Sequence, residues 1–210
     1  MSSDRFCLRP PLHPHPDGKQ FELTSRVLRL GFSHLTAKGL DARLQPYLDE
    51  LSRAVQETVS VSVLEGVEIV FVARSEAAGR QITSSVRIGS RLPALSSASG
   101  RMLLSTRSDD EVRALVEAAE FVPLTKYTVT DRGKLMAIIH RAHRDGYAVN
   151  DQETEEGLLG IAVLLSDRSG RPVASLNANS HIGRLTKRVM IREFVPKMQD
   201  CANRLSELLL

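Results

Sequence analysis

Residues 158–180 read LLGIAVLLSDRSGRPVASLNANS. Two runs of nine residues flank a cluster of turn formers, Asp167 to Arg171. The first run is almost wholly apolar, and the second alternates in polarity; lengths and flanks of this kind predict two strands joined by a turn. In the second run Ser175, Asn177 and Asn179 point to one side, and Ala174, Leu176 and Ala178 to the other. Two carboxamides therefore emerge about 7 Å apart on one face. Asn is depleted in strands, so the spacing asks for a reason. It is either a polar row facing solvent or the floor of a pocket, each amide offering donors and an acceptor.

Working outward, Tyr147-Ala148-Val149-Asn150 predicts a further strand, which brings Asn150 as a third amide. Leu158, Leu159 and Ile161 are candidate apolar walls. The intervening DQETEEG (151–157) lacks the ligand pattern of a calcium loop and reads as a solvated acidic loop. Val59, Val61 and Val63 alternate with small polar residues, Glu65-Gly66 is a turn, and VEIVFVAR (67–74) completes a hairpin. RQITSSVRIG (80–89) predicts a third strand of that group.

Helices fill the rest. Leu23, Val27, Leu30 and Leu35 fall near helical spacing, with Thr24 a candidate N-cap. Leu44, Leu48, Leu51 and Val55 share a face of the next helix, with Pro46 in its first turns. A helix follows from about Ala98 to Ser105; Ser108 and Glu111 make a capping box for another. DRGKLMAIIHRAHRDG (131–146) is a helix closed by Gly146. The C-terminal 186–209 is a long helix that Pro196 should kink or restart. This order predicts an α+β fold: a central, mainly antiparallel six-stranded sheet with helices on its faces.

Charge and motifs narrow the function. Lys and Arg number 28 against 25 Asp and Glu, an excess too small to demand a nucleic-acid partner. The two cysteines, Cys7 and Cys201, have no CxxC spacing, so reduced thiols in a cytoplasmic protein are expected. No apolar run approaches the roughly 18 residues that span a bilayer, so no membrane association is expected. Residues 1–17, rich in Pro and His, read as a disordered arm. His140 and His143, beside Arg141 and Arg144, read as a solvated basic face rather than a metal pair. No phosphate-loop, nucleophile-elbow or metalloprotease pattern is present and no nucleophile–base pair stands out, so neither enzyme, cofactor nor metal is expected.

The remaining question is RIGSRLPALSSASGRMLLS (87–105), where small residues crowd Gly100 at a helix start. One reading is a capped helix packed on the sheet. The other is an anion site at Ala98, Ser99 and Gly100, where open amides and the positive end of the helix dipole meet a ligand.

DGKQFELTSRVLRLGFSHL (17–35), GSRLPALSSASGRMLLS (89–105) and RDGYAVNDQETEEGLLGIAVLLSDRSGRPVASLNAN (144–179), with the hairpin between the first two, resemble IclR-type transcription regulators. The resemblance runs from Asp17 to the end and is nearest to the branch controlling breakdown of protocatechuate and related aromatic acids. It implies a GAF/profilin-like effector-binding domain over 41–210, preceded by a wing remnant and linker helix over 18–40. It implies effector contacts at Ala98, Ser99, Gly100, Asn150, Gly160, Asn177 and Asn179. Gly160, small where relatives carry a larger residue, suits an aromatic carboxylate. The implied assembly is a homodimer or homotetramer, with DNA contact only where a helix-turn-helix accompanies the domain. An alternative of another class is an oligomerisation partner of full-length regulators that senses no ligand, in which the pocket would be filled by its own side chains.

Overall fold

The computed structural model describes residues 12–14, 21–23, 42–77 and 86–209. The helix expected over Leu23, Val27, Leu30 and Leu35 lies outside these residues but for Leu23, which stands in a strand instead, and most of the strand expected over 80–89 lies outside them too. Two short strands, β1 (Leu12–Pro14) and β2 (Phe21–Leu23), pair antiparallel.

A 3₁₀ turn, Ala42–Leu44, runs into α1 (Gln45–Val55). Pro46 sits in the first turn of α1, where the missing N–H would have had no partner. The hairpin β3 (Thr58–Glu65) and β4 (Glu68–Ser75) follows, then β5 (Arg91–Pro93), α2 (Ala98–Leu104), α3 (Asp109–Ala118) and α4 (Arg132–Asp145). The chain ends with β6 (Ala148–Asp151), β7 (Leu158–Ser166), β8 (Pro172–His181) and α5 (Lys187–Ser206). The six strands from β3 to β8 form one sheet in the order β5-β4-β3-β8-β7-β6, with every neighbouring pair antiparallel. The fold class is the one the sequence pattern predicts.

Local chemistry explains the element ends. Ser108 and Glu111 close the expected capping box on α3. Gly146 ends α4 with φ 73°, a left-handed conformation that costs glycine little. The described end of the predicted third strand, residues 86–89, is not strand, and β5 begins just beyond it. Residues 88–89 form a turn closed by Ser90 N–H on the Arg87 carbonyl, with Gly89 at φ 87°; the Gly89 N–H and the Ser90 carbonyl already bond the Phe71 backbone, and the ladder with β4 continues from Arg91 to Pro93. α5 passes through Pro196 without restarting.

The sheet has two chemically different faces. Val59, Val61, Leu159, Ile161, Leu176 and Ala178 point into a large aliphatic core closed by α1 and α5, where Leu48, Leu51, Phe194, Met198 and Leu205 are buried. Leu159 and Ile161 are thus core residues and not pocket walls, because strand alternation puts them opposite Gly160. The other face, covered by α2, α3 and α4, carries Ser60, Ser62, Gly160, Ala162, Ser175, Asn177 and Asn179. Ser60 pairs with Asn177 and Ser62 with Ser175 across β3 and β8. The hydroxyls of Ser60, Ser62 and Ser175 are buried without a hydrogen-bond partner.

The β7–β8 turn is held by one carboxylate. Asp167 accepts from Ser169 Oγ at 2.6 Å, from the N–H groups of Ser169 and Arg171 at 2.9 and 3.0 Å, and from Arg171 Nε at 2.9 Å. These bonds, the Ser169 hydroxyl foremost, hold its carboxyl down at about 2. An unfolded Asp titrates near ~3.9, so the turn's contribution is complete above that pH and is lost as pH falls toward 2. Asp167→Asn should flatten the stability profile between about pH 4 and pH 2, as measured by urea unfolding at stepped pH.

Candidate functional site

The short helix α2 owes its position to its N-terminus. Ala94–Ser96 form a 3₁₀ turn, and Ser97, in extended conformation, is the N-cap. Its Oγ accepts the Gly100 N–H at 3.0 Å. A Cβ on Gly100 would lie 2.2 Å from the Ala94 carbonyl oxygen, so only glycine lets the helix sit this close to the turn. Two readings of the sequence are corrected here. The Gly100 amide is not open but capped, and Gly100 packs behind the site instead of lining it. The N–H groups of Ala98 and Ser99, first in the helix, have no intrahelical partner, and the buried Ser99 Oγ makes no hydrogen bond.

Below these groups lies a cavity of about 100 Å³. Ser97, Ala98 and Ser99 line its top, and Gly160, Asn177 and Asn179 its floor. Asn150, Thr154, Glu155 and Leu158 close one side, and Ile69, Phe71, Val86 and Leu92 supply the apolar wall. Six of the seven predicted residues therefore meet at one hollow, with Gly100 the exception. A Cβ on Gly160 would approach Asn179 Oδ1 at 3.0 Å and the Asn150 Cβ at 3.5 Å, so the glycine leaves the floor low.

The asparagine row does not face solvent: Asn177 is 5% and Asn179 9% exposed. Asn177 Nδ2 donates to Asn179 Oδ1 at 3.4 Å, and Asn177 Oδ1 is buried with no partner. Asn150 is spent differently. Its Nδ2 donates to the Ser96 carbonyl at 2.6 Å and to Thr154 Oγ1 at 3.3 Å, while its Oδ1 accepts the Glu153 N–H at 3.1 Å. It borders the cavity as a clamp between α2's approach and the acidic loop, not as a free ligand donor.

That loop is the main departure from the sequence reading. Glu153 is buried, and its carboxylate forms a two-pronged ion pair with Arg101 of α2: Nη1 to Oε1 at 2.5 Å and Nη2 to Oε2 at 2.6 Å. Arg101, 1% exposed, also donates from Nε to the Leu95 carbonyl at 2.8 Å and from Nη1 to the Val149 carbonyl at 3.4 Å. Glu153 Oε2 accepts the Val129 N–H at 3.0 Å, and Thr128 Oγ1 donates to the Glu153 carbonyl at 2.7 Å. The expected solvated loop is thus tied down at its third residue. The one signal in the sequence was an arginine inside an otherwise apolar helical run.

The histidines make no metal pair. His140 Nε2 lies 3.0 Å from Asp109 Oδ1, and His143 Nδ1 lies 2.8 Å from the Ser105 carbonyl. Among the described residues no cluster of three or more His, Cys, Asp or Glu side chains is placed to hold a metal, and no helix is long and apolar enough to cross a membrane.

A hollow with helix-start amides on one side and carboxamides on the other is the form of a small-molecule-binding domain. The family described as "Bacterial transcriptional regulator IclR C-terminal" matches residues 32–207, and the chain belongs to it. It is 37% identical over 180 residues to the Pca regulon regulatory protein of Pseudomonas putida, covering 86% of this chain and 62% of that protein's length. It is 31% identical over 196 residues to the p-hydroxybenzoate hydroxylase transcriptional activator of Acinetobacter baylyi, covering 91% and 72%. The fold superposes with TM-score 0.74, at 29% identity, on the inducer binding domain of a PobR double mutant from Acinetobacter in complex with 3-hydroxybenzoic acid, over 79% of this chain and 97% of that one. These relatives are regulators, not enzymes.

Breaking a buried, fully bonded pair leaves an uncompensated charge and costs about 3–5 kcal/mol. Arg101→Met and Glu153→Met should each lose stability on that scale in urea unfolding, and the double variant should recover much of the loss.

Proposed function

We propose that this chain senses a small aromatic carboxylate in the cavity beneath α2. The carboxylate sits at the N–H groups of Ala98 and Ser99 with the Ser99 hydroxyl, and the ring lies on Gly160 between Leu158 and Phe71. The far substituent reaches Asn177 and Asn179. The observation that carries this reading is the set of buried, unpartnered polar atoms, Ser99 Oγ and Asn177 Oδ1, on opposite sides of one hollow. A buried polar atom without a partner costs about 1–3 kcal/mol, and a ligand that bonds both regains it. The hollow is of the order of the ~150 Å³ cavity that admits a benzene ring.

The relatives support a regulatory setting. The chain spans 62% of the Pca regulator's length, so control of a promoter, contact with DNA and assembly into a dimer or tetramer are proposals for the whole protein, as is a cytoplasmic location. A ligand biases such an assembly only through unequal affinity for its two states. The oligomerisation-only reading calls for a pocket filled by its own side chains; the open floor over Gly160 favours sensing.

Isothermal titration with 3- and 4-hydroxybenzoate and protocatechuate tests the proposal. At least one should bind stoichiometrically, and Gly160→Leu, which fills the floor, should abolish it in protein that keeps its circular dichroism. Heatless titrations with all three acids, in folded wild type, would refute the reading.

A further inference from the structure

We infer that the chain holds a second ligand site, apart from the hollow beneath α2: a groove between β5, the 3₁₀ turn Ala94–Ser96 and the end of α3, which takes an uncharged, apolar molecule of about two fused rings.

The groove has a volume of about 380 Å³. That is more than twice the ~150 Å³ cavity that admits one benzene ring, and well above the 100 Å³ of the hollow. At its bottom lies Leu95, buried in the apolar cluster under α3, with Leu115 and Phe121 packed on that cluster. Pro93 bounds it on β5. Val67, Val122 and Leu124 stand at its rim, 60%, 76% and 45% exposed. They are three of the six large hydrophobic side chains exposed among the described residues, so the uncovered apolar surface gathers at one concavity.

The walls are held in place by bonds of their own. Arg132 donates to the carbonyls of Val116 and Glu117, each at 3.1 Å, and stands over the Phe121 ring, 5.8 Å from its centroid. This fixes the chain as it leaves α3. The Val67 carbonyl accepts the Ala94 N–H at 2.9 Å, and the carbonyls of Leu95 and Ser96 accept from Arg101 and Asn150. With these groups spent, the walls offer apolar contact in place of hydrogen bonds.

Charge sets the class of ligand. The ionisable side chains that line the groove are Glu68 and Glu120; among the described residues no Lys, Arg or His lines it. Glu68 is already paired with Arg91 at 3.2 Å. An organic acid would bring its charge toward two carboxylates and onto apolar walls, where nothing offsets its lost hydration. A ring system without charge gives up only apolar surface and gains by burying it. The other occupant such a patch admits is a second copy of the chain. Across a two-fold axis that would set concavity against concavity and fill neither.

Three molecules of matched frame test the site by isothermal titration of the folded chain: 2-naphthalenemethanol, 2-naphthoate and 2-naphthalenemethylamine. One molecule of the alcohol should bind per chain, about tenfold more tightly than the acid or the amine. Ala118→Trp, at an exposed position that lines the groove, should weaken the alcohol about tenfold by filling the space, in protein that keeps its circular dichroism. Gly160→Leu should leave its affinity unchanged. No binding of the alcohol, equal or tighter binding of either charged molecule, or loss in Gly160→Leu with retention in Ala118→Trp overturns the inference. So does a dimer in sedimentation that Ala118→Trp dissolves, since a second copy would then cover the groove. None of these outcomes bears on the hydroxybenzoate titrations, which read the hollow.

Discussion

The site depends on a single ion pair. A guanidinium with 1% of its surface exposed persists only if its donors are matched. Arg101 meets that demand with the Glu153 carboxylate and two backbone carbonyls, one before α2 and one on β6. Its planar fork is what allows three directions at once; a lysine offers a point charge and no second prong. The consequence is geometric. α2 is only seven residues long and cannot hold its own orientation. Pinned through Arg101 to the 3₁₀ turn, to β6 and to the acidic loop, it presents its first amides to the asparagines of β8. The same pair draws in the loop, so that Thr154, Glu155 and Leu158 close the side of the cavity.

The sheet divides its labour between faces. Toward α1 and α5 it presents Val, Leu and Ile in close packing, where stability comes from aliphatic burial. Toward α2 it presents glycine, alanine, serine and asparagine, which contribute little burial and leave polar atoms unsatisfied. A protein built only for stability would fill this face. The α2 face keeps apolar packing of its own, with Met102, Leu103 and Leu104 buried, and leaves the hollow over Gly160 lined by small and polar groups.

Much of this was legible in the sequence because it is local. The period-two runs, the Ser108–Glu111 box and the Gly146 stop each declare themselves within a few residues. The Asn177–Asn179 row was visible as an oddity, although whether it faced water or a hollow depended on what lay above it. Strand alternation already forbids Leu159 and Ile161 from sharing a face with Gly160. The Arg101–Glu153 pair was not legible. Its partners lie 52 residues apart, and nothing nearby distinguishes Glu153 from the other acids of its loop. The Gly100 role was hidden likewise, since its tight contact is with the Ala94 backbone, which carries no side-chain signal.

Register explains why one small residue sets the depth of the cavity. Asn150, Gly160 and Asn179 are direct neighbours across β6, β7 and β8. Their side-chain positions form a line under Ala98, whose Cβ stands 4.0 Å from where a Gly160 Cβ would be. Any side chain at 160 would rise between two carboxamides into the path from α2 to β8. A larger residue there would shorten that path and shrink the hollow. Glycine keeps the full span between the first amides of α2 and the carboxamides of Asn177 and Asn179.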